Sequence, residues 1–157
     1  MDTARLNDWM QIVGIFSLVA SLVFVGVQLR QEHEISMAQA YQGRAAISAE
    51  WAVEYSSNDI ALSAHRKAAE GNMDAVTPAE YDAAFWAQVA LYNIFDNTHY
   101  QYVNGYVSDE LWSMVRGNLK HNMTHPLSRE VFDTFRDRSR PSFREVLLEI
   151  GAEIDAN

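Results

Sequence analysis

The chain of 157 residues has no cysteine, only three prolines and seven glycines. Without cysteine there is no disulfide, no thiolate nucleophile and no cysteine-ligated zinc or iron–sulfur site. The scarcity of proline and glycine leaves few breaks in the chain, which favours long helices over many short strands. We therefore predict an all-α fold.

Basic residues are also scarce, since 12 Lys and Arg accompany 21 Asp and Glu and the formal net charge is −9. An acidic surface repels phosphate backbones, which argues against nucleic-acid binding. The sequence contains no G-x-S-x-G motif, no phosphate-binding loop and no dinucleotide fingerprint. We therefore predict no catalytic residues, no cofactor and no metal site. The 48% of hydrophobic residues nevertheless suffices for a folded core.

One long uncharged stretch covers the 21 residues from Trp9 to Leu29. As a helix it would be about 31 Å long, close to the thickness of the hydrocarbon core of a bilayer. Trp9 at one end and Arg30 at the other suit the two headgroup regions. We predict a short tail at residues 1–8, a transmembrane helix at 9–30 and a helical soluble domain at 31–157.

The small residues of this span are Gly14, Ser17, Ser21 and Gly26. Small residues let a second membrane helix approach closely, although glycine and serine are also common in membrane helices that do not pair. Both interpretations stay open. The lipid bilayer is one predicted partner, and a homo-oligomer or a larger membrane complex is the other.

Capping signals predict where the helices of the soluble domain begin. Apolar residues recur at steps of three and four up to Tyr55, which predicts a first helix from about Asp8 to Tyr55. The later helices are predicted from Asn58 or Asp59 to near Gly71, from the Thr77-Pro78-Ala79-Glu80 start to about Asn104, from Ser108 to near His121, from Pro126 to the break at Arg140-Pro141, and from Ser142 to about Ile154. Together they predict a membrane-anchored helical bundle.

Several segments carry a family resemblance. These are Ile12 to Arg30, with its Ser-Leu-Val-Phe-Val-Gly-Val-Gln-Leu-Arg-Gln ending, Phe95-Asp-Asn-Thr-His-Tyr-Gln-Tyr102, the Asp109-Glu-Leu-Trp112 helix start and Arg140-Pro-Ser-Phe-Arg144. With them the chain resembles a group of uncharacterised bacterial single-span membrane proteins. The resemblance implies a membrane-anchored helical domain in the bacterial inner membrane. It implies no activity, so it assigns no functional residue.

The orientation in that membrane follows from arginines near the span. Arg5 lies on one side, whereas Arg30 and Arg44 lie on the other. Because positive residues favour the cytoplasmic side, this balance places the soluble domain in the cytoplasm.

The predicted helix from Ala79 to Asn104 carries a polar seam, defined as Asn93, Asn97 and Gln101 at four-residue spacing. We expect neighbouring helices to satisfy these amides, with a bound ligand as the alternative. Asp96 and His99 flank the seam and share one helical face. They suit a structural hydrogen bond, or alternatively a proton-transfer pair or two metal ligands.

Two further groups have a functional and a structural interpretation. His121 and His125 have the spacing of a shared metal site, yet they lie near a predicted helix end, where capping or solvation is expected. A locally basic patch consists of Arg129, Arg136, Arg138, Arg140 and Arg144. It suits anionic lipid or an acidic neighbouring subunit, and alternatively a solvated helix with ion pairs, which is the favoured interpretation.

The leading functional hypothesis is a membrane-anchored scaffold or accessory subunit without catalytic activity. The alternative is a homo-oligomeric pore or a ligand-responsive membrane sensor. A membrane-tethered enzyme that uses Asp96 and His99 ranks third.

Overall fold

The computed structural model describes residues 3–156, apart from the side chains of residues 4–6. Its described residues form helices and no strand, which confirms the all-α prediction. The elements are α1 (Thr3–Ser56), α2 (Asp59–Ala69), a short 3-10 helix (Met73–Ala75), α3 (Pro78–Val103), α4 (Asp109–Met123), α5 (Pro126–Arg136) and α6 (Pro141–Asp155).

Side-chain caps set the helix starts. The Asn58 side chain accepts a hydrogen bond from the Ala61 backbone N–H at 3.0 Å, and this fixes the start of α2. At α3, Thr77 and Glu80 form a complete capping box, in which each side chain accepts from the other residue's backbone N–H. Gly105, with a φ of 78°, follows the end of α3 in the left-handed region that favours glycine.

The end of α5 differs from the prediction, because the helix stops at Arg136 rather than continuing to Arg140-Pro141. The reason is a cap from α6: the Arg144 guanidinium donates to the Asp137 carbonyl at 2.7 Å and to the Ser139 carbonyl at 3.4 Å. A long-range side chain therefore satisfies carbonyls that a further helical turn would otherwise use.

The chain divides into two compact units between Gln39 and Ala40, eight residues or more beyond the predicted end of the span. In the first unit, α1 already includes residues 3–8, which we predicted as a tail. The helix is long and apolar enough to cross a bilayer, with a mean hydropathy of 2.4 over its most apolar window and none of that window buried. The Ser17 and Ser21 hydroxyls donate to carbonyls four residues earlier, each at 2.8 Å, so neither hydroxyl needs an outside partner.

The second unit has its main core between α3, α4, α5 and α6. Its most deeply buried side chains are Leu119, Val131, Phe132, Phe143 and Ile150. Each contributes about 1.5–3 kcal/mol by its removal from water. A smaller cluster of Ala61, Ala64, Ala68, Ala84 and Leu127 lies where α2 meets α3, and its alanines allow these two backbones to approach closely.

Candidate functional site

A groove runs between residues 44–54 of α1 and residues 90–98 of α3, with a volume of about 410 Å³. Its apolar lining consists of Ile47, Trp51, Ala90 and Ile94. Its polar lining consists of Arg44, Glu50, Glu54, Asn93, Asn97 and Thr98. The groove therefore combines apolar walls with a few polar groups, as small-molecule sites do.

The groove exists because the two helices do not pack closely. Among the described residues, no Cα of segment 40–56 lies within 8 Å of a Cα in α3. Close-packed helices have axes about 8–10 Å apart, which brings facing Cα atoms well inside that limit. Long side chains cross the gap instead: the Trp51 indole N–H donates to the Ala87 carbonyl at 2.9 Å.

Trp51 and Tyr55 are therefore half-buried rather than buried as the sequence predicts. Their rings stack on each other with centroids 5.0 Å apart and an interplanar angle of 9°. Trp51 packs at the edge of the main core, and Tyr55 packs on the smaller alanine cluster. The apolar stripe of α1 is thus covered on one side and lines the groove on the other.

Arg44 forms one end of the groove and is only 9% exposed. Its Nη1 donates to the Oε1 of Gln101, and its Cζ lies 5.8 Å from the centroid of the Tyr41 ring. No carboxylate among the described residues lies within 4.0 Å of the guanidinium. Burial lowers the pKa of Arg44. The groove thus contains a buried cation whose only hydrogen-bond partner is a neutral amide.

Glu50 and Glu54 lie further along the same wall of the groove, one helical turn apart, and are exposed. Neither makes an ion pair within the part of the chain that the structure describes. Glu54 follows Arg44 by ten residues, which corresponds to about 15 Å along a helix axis. The groove is therefore positive at one end and negative at the other.

The polar seam divides between two environments. Gln101 accepts from Arg44, as expected if a neighbouring helix satisfies the seam. Asn93 and Asn97 are exposed and line the groove, and neither makes a hydrogen bond to another described side chain. Two of the three amides are therefore available to a molecule in the groove.

Asp96 and His99 do not hydrogen-bond to each other. The Asp96 Oδ2 lies 3.4 Å from the Arg140 Nη2, while its buried Oδ1 has no hydrogen-bond partner. His99 is 4% exposed and packs against the rings of Trp112 and Phe143, with centroids 5.0 and 5.4 Å away. Burial lowers the pKa of His99. This arrangement is neither the predicted helix-fastening hydrogen bond nor a proton-transfer pair.

His121 and His125 also have different surroundings. His121 is exposed, whereas the His125 ring stacks on His65 with centroids 3.5 Å apart and an interplanar angle of 5°. The His125 Nε2 lies 3.0 Å from the His65 carbonyl oxygen. Nowhere in the described chain do three or more His, Cys, Asp or Glu side chains form a possible metal site.

The basic patch is held by contacts within the chain. Arg129 pairs with Asp133 at 3.1 Å and with Asp155 at 3.2 Å, and Arg136 pairs with Asp133 at 3.3 Å. The others bind elsewhere: Arg140 pairs with Asp96, Arg144 caps α5, and the Arg138 Cζ lies 5.7 Å from the Phe135 ring centroid. The arginines mostly tie α5 and α6 to each other and to α3.

Sequence reasoning missed the α1 wall of the groove. Arg44 entered it only as a flanking charge, and Glu50 and Glu54 did not enter at all. The available signal was spacing, because Arg44, Ile47, Trp51 and Glu54 recur at steps of three and four and so share one helical face. A buried arginine on an otherwise mostly apolar face is the feature that points to a site.

No family model, no curated protein and no solved structure matches this chain. Function is therefore inferred from the groove and from the apolar part of α1.

Proposed function

We propose that this chain is a single-span membrane protein whose helical domain binds a small ligand in the groove between α1 and α3, and that it acts as a sensor rather than as an enzyme. The observation that carries this proposal is the gap between segment 40–56 and α3. Protein interiors are packed as densely as organic crystals, so a space of about 410 Å³ between two facing helices requires a reason. Ligand pockets have volumes of about 300–1,000 Å³, and the groove falls within this range.

The apolar part of α1 supports the membrane assignment. Its large side chains are exposed from Trp9 to Leu29, and water would solvate such a surface poorly. A bilayer is the solvent that this surface fits. With the predicted excess of arginine after the span, we place the protein in the inner membrane of a bacterium with its domain in the cytoplasm. The Arg5 side chain, on the other side of that balance, lies outside the described residues.

The environment of Asp96 and His99 supports binding rather than catalysis. The carboxylate is engaged by Arg140, and the imidazole lies among aromatic rings. Neither side chain lines the groove. A general acid or base has to reach its substrate within hydrogen-bond distance, and these two groups are not placed to do so.

A second function, an accessory subunit or homo-oligomer, is favoured by the small residues of the span. A Cβ atom placed at Gly14 or Gly26 would meet no described atom within 4 Å. Both hydroxyls of Ser17 and Ser21 are satisfied within the helix. This face is therefore open to another membrane helix and costs no unpaired polar group.

The ligand-binding proposal is tested by filling the groove. Ala90 is exposed and lines the groove, so Ala90→Trp should occupy it without changing the core. Ala79→Trp, at an exposed position near the start of α3 and outside the groove, is the matched control. Both full-length variants and the parent chain would be purified from membranes in lipid nanodiscs and weighed by native mass spectrometry.

We expect a small-molecule adduct on the parent chain and on Ala79→Trp, and none on Ala90→Trp. An adduct that persists at the same occupancy in Ala90→Trp contradicts the proposal, because the ligand would then lie elsewhere. Absence of any adduct on the parent chain, even after incubation with a cell extract of small molecules, also contradicts it.

A further inference from the structure

We propose that the groove binds a small organic monocarboxylate with an apolar body, and that Arg44 binds its carboxylate. This inference rests on the proposed ligand-binding function and names the chemical class of the ligand. It is carried by the surroundings of Arg44 and by the distribution of charge along the groove.

Arg44 has unused capacity for an anion. A guanidinium carries five N–H donors in a planar fork, and Gln101 accepts from only one nitrogen. Buried charges in proteins are normally paired, because removal from water is costly when no opposite charge compensates. Arg44 is 9% exposed and has no described carboxylate within 4.0 Å, so its natural counterion is missing from the domain itself. A carboxylate matches the fork with two parallel hydrogen bonds.

The α3 wall supplies neutral hydrogen-bond donors on the same side. Asn97 lies one turn before Gln101, the residue that accepts from Arg44, and both of its amide hydrogens are free of described partners. The Thr98 hydroxyl is satisfied by the Ile94 carbonyl at 2.8 Å. The carboxylate is therefore expected to contact Arg44 and Asn97 together.

The rest of the groove suits an apolar body. Ile47 and Trp51 line one wall, and Ala90 and Ile94 line the other. An apolar or aromatic group of a few carbons gains by leaving water for this space. Selectivity against neutral apolar molecules then comes from Arg44.

Glu50 and Glu54 limit the number of negative charges that the ligand carries. They follow Arg44 by six and ten residues, about 9 and 15 Å along the helix axis. A second carboxylate or a phosphate at the far end of the ligand would meet these unpaired carboxylates and be repelled. The groove should therefore prefer a monocarboxylate to a dicarboxylate of similar length.

The test uses probes of one shape that differ in the charge of the head group: 3-phenylpropionate, 3-phenylpropionamide and 3-phenylpropylamine. Binding to full-length protein in nanodiscs is measured by ligand-observed saturation-transfer NMR, with empty nanodiscs as the blank. We expect the carboxylate to bind at least tenfold more tightly than the amide or the amine. Arg44→Gln should reduce carboxylate affinity at least tenfold, and Arg44→Lys should reduce it less, because the charge stays while the fork is lost.

Arg138→Gln is the control, since Arg138 is exposed and lies outside the groove. It should leave carboxylate binding unchanged. Circular dichroism of each variant checks that the helices are intact, and Arg44→Lys keeps the test valid if Arg44→Gln fails to fold.

Several results overturn the inference. Tighter binding of the amine, weakened by Glu54→Gln, would show that the groove selects cations. Equal binding of all three probes would show that the charge of Arg44 is not used, and failure of 3-phenylpropionate to bind would also reject the proposed class. In each case the ligand-binding proposal stands or falls separately, on whether Ala90→Trp removes the native adduct.

Discussion

Trp51 illustrates how one side chain determines the local geometry. Its indole crosses the gap between segment 40–56 and α3, and its N–H finds the Ala87 carbonyl on the other side. The sequence places Trp51 on an apolar stripe, which predicts burial but not the distance to the neighbouring helix. That distance depends on residues 36 positions away, and no local pattern encodes it.

We predict that Trp51→Ala destabilises the domain by about 2–3 kcal/mol, below the roughly 3–5 kcal/mol of a fully buried tryptophan, because half of the side chain stays in contact with solvent. Trp51→Phe keeps much of the apolar area and should cost about 1 kcal/mol, the worth of the lost hydrogen bond. Urea unfolding of the full chain in detergent, followed by circular dichroism, measures both. Trp86, 65% exposed, is the control; a cost for Trp86→Ala equal to that of Trp51→Ala would contradict this account.

At the scale of elements, the helix boundaries were predictable because capping is local. The Asn58, Thr77 and Ser108 caps each act on a backbone N–H three residues away, and each helix starts where its cap predicts. The end of α5 was not predictable, since its cap comes from Arg144 on another helix. The same limit explains the His65–His125 stack, which joins α2 to the start of α5 across 60 residues.

That stack makes the contact between α2 and α5 sensitive to pH. Burial lowers the pKa of His65 and of His125 below the usual value of 6.5, so the unfolded chain binds protons more readily than the folded chain. Stability should therefore fall as pH drops below about 6.5, well above the acid range in which Glu80, with a pKa of about 2, loses its charge.

Thermal unfolding from pH 8 to pH 5 tests this prediction. His125→Phe keeps an aromatic ring and removes the titratable group, so it should reduce the loss of Tm between pH 7 and pH 5. The exposed His121→Gln is the control and should retain the parent pH dependence. A parent chain whose Tm does not change over this range would contradict the buried, neutral state of the pair. His99 contributes in the same direction, because burial also lowers its pKa.

At the scale of the whole molecule, sequence alone predicted an apolar first helix and a helical domain, because both depend on composition and periodicity. The groove could not be predicted, since it results from the packing of α1 against α3 through a few long side chains. Of the polar seam, the sequence located the residues correctly on one helix but did not show that Asn93 and Asn97 lie at an open groove. Which side chain faces a gap is a property of tertiary packing.

The span offers a prediction about assembly. If the face of Ser17 and Ser21 packs against another membrane helix, Ser17→Leu and Ser21→Leu should weaken self-association, because the larger side chain forces the backbones apart. The mass of the intact assembly in mild detergent measures this. Val19→Leu, a change of similar chemistry elsewhere on the same helix, is the control. Unchanged assembly size in both serine variants would reject this interface.

The central claim is that segment 40–56 and α3 are held apart, and disulfide trapping measures this most directly because the chain has no native cysteine. Ile47→Cys with Ile94→Cys places one thiol on each wall of the groove. A disulfide needs Cα atoms about 4.4–6.8 Å apart, whereas no Cα pair between these segments lies within 8 Å. Ala64→Cys with Ala84→Cys, in the alanine cluster between α2 and α3, is the close-packed control. The account predicts that oxidation of the full-length protein links the control pair and leaves the groove pair as free thiols. Rapid and complete cross-linking of the groove pair would show that the helices are close-packed and that no groove exists.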